Sequence, residues 1–176
     1  MRLGQVQTIT QPSFGRISFH RLEEIPRAVL LDHMRDPRIA KHLPLLTGEW
    51  DLATVDGFVA AKAKCWDDDG LGHWAIHYDG EYAGWGGFQK EGRDWDFGLV
   101  LHPDHFSKGR EIAAASFDWL ARETTVNEVT FLLPLSRSPR ALMRMGAQPT
   151  GIVEHAGVQF TRWAWQVGAR QELHCK

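Results

Sequence analysis

Residues 94–122 read DWDFGLVLHPDHFSKGREIAAASFDWLAR, and their character changes in the middle. Trp95, Phe97, Leu99 and Leu101 alternate with Asp94, Asp96 and Val100, the period-two pattern of a half-buried strand. Gly98 interrupts this strand, where glycine marks a bulge or a close backbone approach. Pro103 ends it. Ser107-Lys108-Gly109-Arg110 then leads into a helix with Ile112, Ala115, Ser116, Trp119 and Leu120 on one face. A strand that passes through a short glycine-bearing loop into a helix leaves backbone N–H groups unpaired. Those groups and the helix dipole attract an anion, and Lys108 and Arg110 add positive charge beside them. The same residues also suit an ordinary helix start, with Ser107 as cap and Glu111 near the positive end of the dipole.

Outward from this stretch, Arg16–Leu22 alternates as a strand and Glu23–His42 reads as a helix with a break near Asp36-Pro37. The segment LPLLTGEW (residues 43–50) is a loop that is either buried or the wall of a cleft. Asp51–Trp66 is a second helix, terminated by Asp67-Asp68-Asp69-Gly70. His73–Tyr78 and Glu81–Phe88 are strands joined by Asp79-Gly80, a strong hairpin signal. A turn at Glu91-Gly92 leads to the strand of residues 94–101, completing a three-stranded meander. The helix Gly109–Thr124 crosses to the strand Glu128–Leu133, and such a connection makes a right-handed parallel pair. Ser138-Pro139 opens a helix with Ala141, Leu142 and Met145 inward. Pro149–His155 and Val158–Val167 form a closing hairpin around Ala156-Gly157. Residues 1–15 are a polar lead-in and residues 168–176 a polar tail. Neither a repeat nor a linker divides the chain, so residues 1–176 form a single domain.

In this order of elements over residues 16–167, and in Phe106-Ser107-Lys108-Gly109-Arg110-Glu111, the chain resembles the Gcn5-related N-acetyltransferase (GNAT) superfamily. It is most similar to the branch with the ribosomal-protein N-terminal acetyltransferases. The family's acyl-CoA loop is Gln/Arg-x-x-Gly-x-Gly/Ala; Gly109 matches it, while Phe106 and Glu111 depart. The resemblance implies an α/β (α+β) fold whose mixed, mostly antiparallel sheet has about seven strands, with about four helices. The fourth and fifth strands would be a parallel, splayed pair. Acetyl-CoA would be the co-substrate, its pantetheine arm lying between those strands with Leu99, Val100 and Leu101 as backbone partners. Phe106, Ser107, Lys108, Gly109, Arg110 and Glu111 would surround the pyrophosphate. Glu111 would be repulsive there unless it points away. Asp96 lies on the strand that holds the family's base and would act through water; its other reading is a solvent-facing strand carboxylate. Glu154 and Glu81 are weaker candidates. Ser138 matches the serine of the branch's Asn-x-x-Ser pattern, as a helix cap first and a contact to CoA or its thiol second. Leu135 replaces the asparagine, and Leu142 stands where many relatives carry a tyrosine acid.

The implied reaction is direct attack by a primary amine, on a small molecule or a peptide or protein N-terminus. An α-amine with pKa near 7.8 is roughly 30% neutral at pH 7.4, and a lysine near 10.4 only about 0.1%. A site without an obvious strong acid–base pair therefore suits an α-amine or another amine of low pKa. The acceptor would approach between the LPLLTGEW loop, Asp96 and the closing hairpin. The departures at Glu111, Leu135 and Leu142 motivate a different reading, a non-catalytic acyl-CoA-binding or protein-interaction module.

Composition excludes several classes. A net charge of −2 implies no strong pull toward nucleic acid or membrane. No apolar run reaches the roughly 18 residues of a membrane span, and MRLGQVQTITQPSFG lacks the apolar core of a signal peptide. A soluble cytoplasmic protein is the expectation, with a homodimer among the allowed assemblies. Cys65 and Cys175 make no disulfide framework. Many of the eight tryptophans belong in the core, and such content also suits an aromatic-walled pocket. No metal is expected: Asp67-Asp68-Asp69 lacks the spacing of a calcium loop, and on a strand His73 and His77 stand roughly 13 Å apart. No Gly-x-Ser-x-Gly elbow supports hydrolase chemistry.

Overall fold

The computed structural model describes residues 12–41, 43 and 48–168. It opens with strands β1 (Ser13–Phe14) and β2 (Ile17–His20), a 3-10 turn at Leu22–Glu24, and helices α1 (Arg27–Arg35), α2 (Pro37–Ala40) and α3 (Leu52–Asp69). Strands β3 (His73–Tyr78), β4 (Glu81–Glu91) and β5 (Asp94–Leu101) follow. A 3-10 turn at Pro103–Lys108 runs into α4 (Gly109–Glu123). The chain closes with β6 (Glu128–Pro134), α5 (Arg140–Met145), β7 (Gln148–His155) and β8 (Val158–Gln166). The strands form one sheet in the order β1-β2-β3-β4-β5-β6-β8-β7, with β5 and β6 its parallel pair.

The mixed, mostly antiparallel sheet and its parallel pair follow the expectation, but the counts differ. The described residues form eight strands rather than seven. The extra one, β1, is two residues long, too short to leave a period, and exists by pairing with β2. The parallel strands are therefore the fifth and sixth. Among the described residues there are five α-helices rather than four. The first expected helix divides at its prolines: residues before proline are pushed out of the helical region, and Ile25 and Asp36 are extended, with ψ of 132° and 120°. Asp36 then caps α2, its carboxylate accepting from Arg38 N at 2.9 Å. Helix α3 begins where Asp51 accepts from Thr54 N at 2.7 Å, and it runs three residues beyond the expected stop at Trp66, to Asp69. Gly70, at φ 72°, ends it as a left-handed cap. The Asp79-Gly80 hairpin closes as expected, with φ of 52° and 82°, the positive pair a tight turn requires.

Each face of the sheet carries a core. Under α4, Phe88, Phe97, Phe117 and Phe131 pack with Trp74, Ile112 and Leu120. The Phe97 and Phe117 rings lie 4.7 Å apart, within the range of a favourable aromatic pair. Under α1 and α3, Leu30, Val55, Val59, Trp85 and Val100 form the second core. Strand β5 feeds both through its alternation: Phe97, Leu99 and Leu101 face the first, Val100 the second.

Gly98 makes no bulge. β4 and β5 pair in unbroken register from Gly84↔Leu101 to Glu91↔Asp94. The close approach is on the partner strand, where a Cβ at Gly86 would lie 2.9 Å from Leu99 Cα and nearer still to the Gly98 carbonyl oxygen. Both obstacles are backbone, so the ladder itself would have to part. Gly86→Ala is expected to cost about 2–3 kcal/mol, read as a lower urea midpoint at unchanged m-value.

Candidate active site

Strands β5 and β6 run parallel but pair at one position only, Asp96↔Thr130. Beyond it β6 pairs with β8 on its far side through Pro134, and β5 pairs with β4 through Leu101. The two facing edges share no further ladder among the described residues, so the strands part toward their C-terminal ends. A cleft of about 310 Å³ lies along the C-terminal end of β5. Leu99, Val100 and Leu101 line it from β5, Phe106 and Gly109 from the junction with α4, and Arg137 from the segment after β6. Five residues expected from sequence thus meet in one apolar cleft. Ser107, Lys108, Arg110 and Glu111 belong to the same junction without lining it.

The junction is tighter than the coil expected there. Pro103 starts a 3-10 turn that winds directly into α4, and His102 Nδ1 accepts from Asp104 N at 3.3 Å. Ser107 is not the cap: Lys108 holds that position without a side-chain bond. Gly109 has ordinary helical angles, φ −55° and ψ −39°, and its N–H donates to Phe106 O. Its conformation therefore does not require glycine. A Cβ there would sit 3.4 Å from Leu101 Cδ1, at the cleft's edge.

Glu111 is turned aside. Its carboxylate accepts from Tyr78 Oη at 2.8 Å, on β3, two strands away from the β5–β6 gap. Arg16, paired with Asp79, and Lys108 lie over the Tyr78 ring, at 4.7 and 5.1 Å from its centre. Tyr78→Phe releases the Glu111 carboxylate beside the helix start. Acetyl-CoA affinity is then expected to fall about 3- to 10-fold, and Glu111→Gln in the same chain to restore it; titration calorimetry reads both.

Asp96 stands at the vertex where the strands separate. It is half-buried. Burial raises its pKa from 3.8 to about 7, opposed by the hydrogen bond from Thr130. Glu91 and Asp94 add to the rise and Arg162 acts against it. Thr130 Oγ1 donates to Asp96 Oδ1 at 3.1 Å, and Arg162 is ion-paired to Asp94. A carboxylate that exchanges its proton near neutrality is matched to general-base work. Glu81 and Glu154 are exposed at hairpin ends and line neither this cleft nor the cavity described below. Ser138 is exposed, its hydroxyl accepting weakly from Arg140 N at 3.5 Å. The cap of α5 falls on Pro139, one residue later than expected. Leu142, in the place of a tyrosine acid, packs against the core.

Sequence reasoning missed Arg137, Thr130 and Ile39, of which all but Thr130 line the cleft; Leu43, which also lines it, opens the LPLLTGEW loop expected to be buried or to wall a cleft. Thr130 had a signal, as the one polar side chain within VTFLL. Of the LPLLTGEW loop, residues 44–47 lie outside the described residues, as does Cys175.

No family model matches the chain, and no curated protein matches it in sequence. Its structure is similar to solved ones. A GnaT-family acetyltransferase from Bordetella pertussis superposes with a TM-score of 0.69 at 17% identity, over 88% of this chain and 98% of that one. A GNAT-family acetyltransferase from Bacillus anthracis gives 0.70 at 16% identity, over 89% and 98%. A spermidine N-acetyltransferase variant from Vibrio cholerae gives 0.63 at 12% identity, over 90% and 99%. At these identities the likeness is one of architecture, and the architecture is that of the GNAT acetyltransferases.

Proposed function

We propose that the protein transfers the acetyl group of acetyl-CoA to a primary amine by direct attack. The observation that carries this is the parallel pair that parts at Asp96, with an apolar cleft on one side of the vertex and a carboxyl near pKa 7 at it. The cleft suits a pantetheine arm laid along the free edge of Leu99, Val100 and Leu101, and acetyl-CoA supplies the thioester there. Arg110 and Glu111 contribute first-turn amides, and Lys108 and Arg110 cationic side chains, toward a pyrophosphate at the head of α4. Phe106, Ser107 and Gly109 would flank it.

Asp96 takes the proton of the attacking amine, through water. The amine nitrogen bonds to the thioester carbonyl carbon, the carbon–sulfur bond breaks, and the proton passes to the departing thiolate. Ser138 is assigned a contact near that thiol. An α-amine, neutral in useful fraction at pH 7.4, is the favoured acceptor, as the resemblance to the ribosomal-protein N-terminal acetyltransferases also suggests. The core packing of Leu142 supports a second reading, a domain that binds acyl-CoA without turnover.

Calorimetry with acetyl-CoA, followed by thiol release over a panel of α-amines, tests the proposal. One-to-one binding with amine-dependent release is expected. Binding without release on any amine favours the second reading, and absence of binding refutes both.

A further inference from the structure

A second cavity, of about 460 Å³, opens at the other end of the β5–β6 pair. Its lining includes Arg93, Asp94, Asn127, Glu128, Thr130 and Gln166. We infer that this cavity seats the acceptor, and that the acceptor is a small primary amine whose body is dense in neutral hydrogen-bonding groups. The inference rests on the transferase reading above and adds the class of amine to it.

Three observations carry it. The first is position. Asp94, Asp96 and Thr130 share one face of the sheet, through strand alternation and the Asp96↔Thr130 pairing. The cavity and the apolar cleft lie on opposite sides of that pairing, and Thr130, in the cavity wall, donates to Asp96 at 3.1 Å. An amine lodged against Thr130 meets Asp96 from the side opposite the cleft.

The second is charge. The two carboxylates of the wall, Asp94 and Glu128, are matched by Arg93 and by Arg162, which pairs with Asp94. A cavity with balanced charge exerts little net field on a polycation. The third is unused bonding capacity. Among the described residues, the Asn127 carboxamide and the Arg93 guanidinium, both exposed, have no hydrogen-bond or ion-pair partner within the protein. Gln166 donates to one oxygen of Glu128, leaving the other to accept. The wall thus offers both donors and acceptors, which suits hydroxyl and amide groups. An amino sugar and the first residues of a polar peptide share that chemistry.

The test is calorimetric titration of the full chain with glucosamine, with the dipeptide Ser-Ala, with spermidine and with phenethylamine, each with and without CoA. Glucosamine or Ser-Ala is expected to bind, and which of them does separates the sugar source from the peptide source. Asn127→Leu is expected to weaken that binding about 10-fold, raising KM with kcat within twofold and acetyl-CoA affinity unchanged. Arg93→Gln gives a second, independent perturbation of the same wall. Tighter binding of spermidine or phenethylamine, no binding of any of the four, or polar-amine binding indifferent to both substitutions overturns the inference. Polar-amine binding that depends on Asn127, in a protein that does not bind acetyl-CoA, would leave the cavity assignment standing while the transferase reading falls.

Discussion

Replacing Asp96 by asparagine is expected to lower kcat/KM about 100-fold at pH 7.5, the low end of what a positioned general base contributes. In the wild type the base works only when ionised. Its pKa is lifted to about 7, chiefly by burial, so the rate should climb with pH up to that value and then level. An acceptor α-amine ionising near 7.8 adds a second, higher inflection. Asp96→Asn removes the lower inflection and leaves the higher one, so the pH profile separates loss of the base from loss of acceptor binding. A profile that keeps both inflections removes Asp96 from the mechanism.

The same substitution is expected to stabilise the fold in mild alkali. The folded pKa of Asp96 lies above its unfolded value near 3.8. Between about pH 4 and 7 the folded chain keeps a proton that the unfolded chain has shed, so stability declines as pH rises through that window. The decline is at most about 1.4 kcal/mol per pH unit crossed, and solvent reaching the half-buried carboxylate reduces it. Asparagine has no such proton and escapes the decline. Denaturant titration at pH 5 and pH 8 should therefore show the variant gaining on the wild type at the higher pH. A residue that costs stability when ionised, at the meeting point of two strands, is what a poised base looks like energetically.

The path from sequence to this site was uneven for identifiable reasons. The alternation of Trp95, Phe97, Leu99 and Leu101 is a local signal, and the face it marks is the one that packs into the core under α4. Asp96 was legible as the odd carboxylate in that pattern, but its burial was not, because burial depends on a strand 34 residues away. Thr130 hid behind the ordinary preference of β-branched residues for strands. Gly98 is the visible glycine of β5, whereas the crowding lies on β4 at Gly86, which pairs with Leu99 and abuts the Gly98 carbonyl; only the register of the two strands shows which of them must lack a side chain. The Tyr78–Glu111 bond joins residues 33 apart and engages the Glu111 carboxylate on β3. No window of local sequence contains both partners. Ser138 and Arg137 differ by a single position, within the usual uncertainty of a helix start, yet only Arg137 reaches the cleft.

Gly109→Phe is expected to abolish acetyl-CoA binding, weakening it at least about 100-fold, while the protein stays folded. Glycine is often retained for a positive φ, and there a larger residue strains the backbone. Gly109 is not such a case, since its φ of −55° suits any L-residue. A Cβ fits there beside Leu101, but a longer side chain stands at the rim of a cleft of about 310 Å³ that a CoA arm must enter. A phenylalanine here projects into that cleft and occupies the volume meant for the pantetheine. Gly109→Ala makes the argument graded. Its Cβ meets Leu101 Cδ1 at an ordinary 3.4 Å, and alanine in a helix is worth roughly 0.5–1 kcal/mol over glycine. The alanine variant should therefore melt slightly higher than the wild type while binding acetyl-CoA modestly less well. Stability and binding then move in opposite directions at one position, and that opposition marks the glycine as kept for the ligand. If both variants bind acetyl-CoA as the wild type does, the arm does not run between β5 and β6.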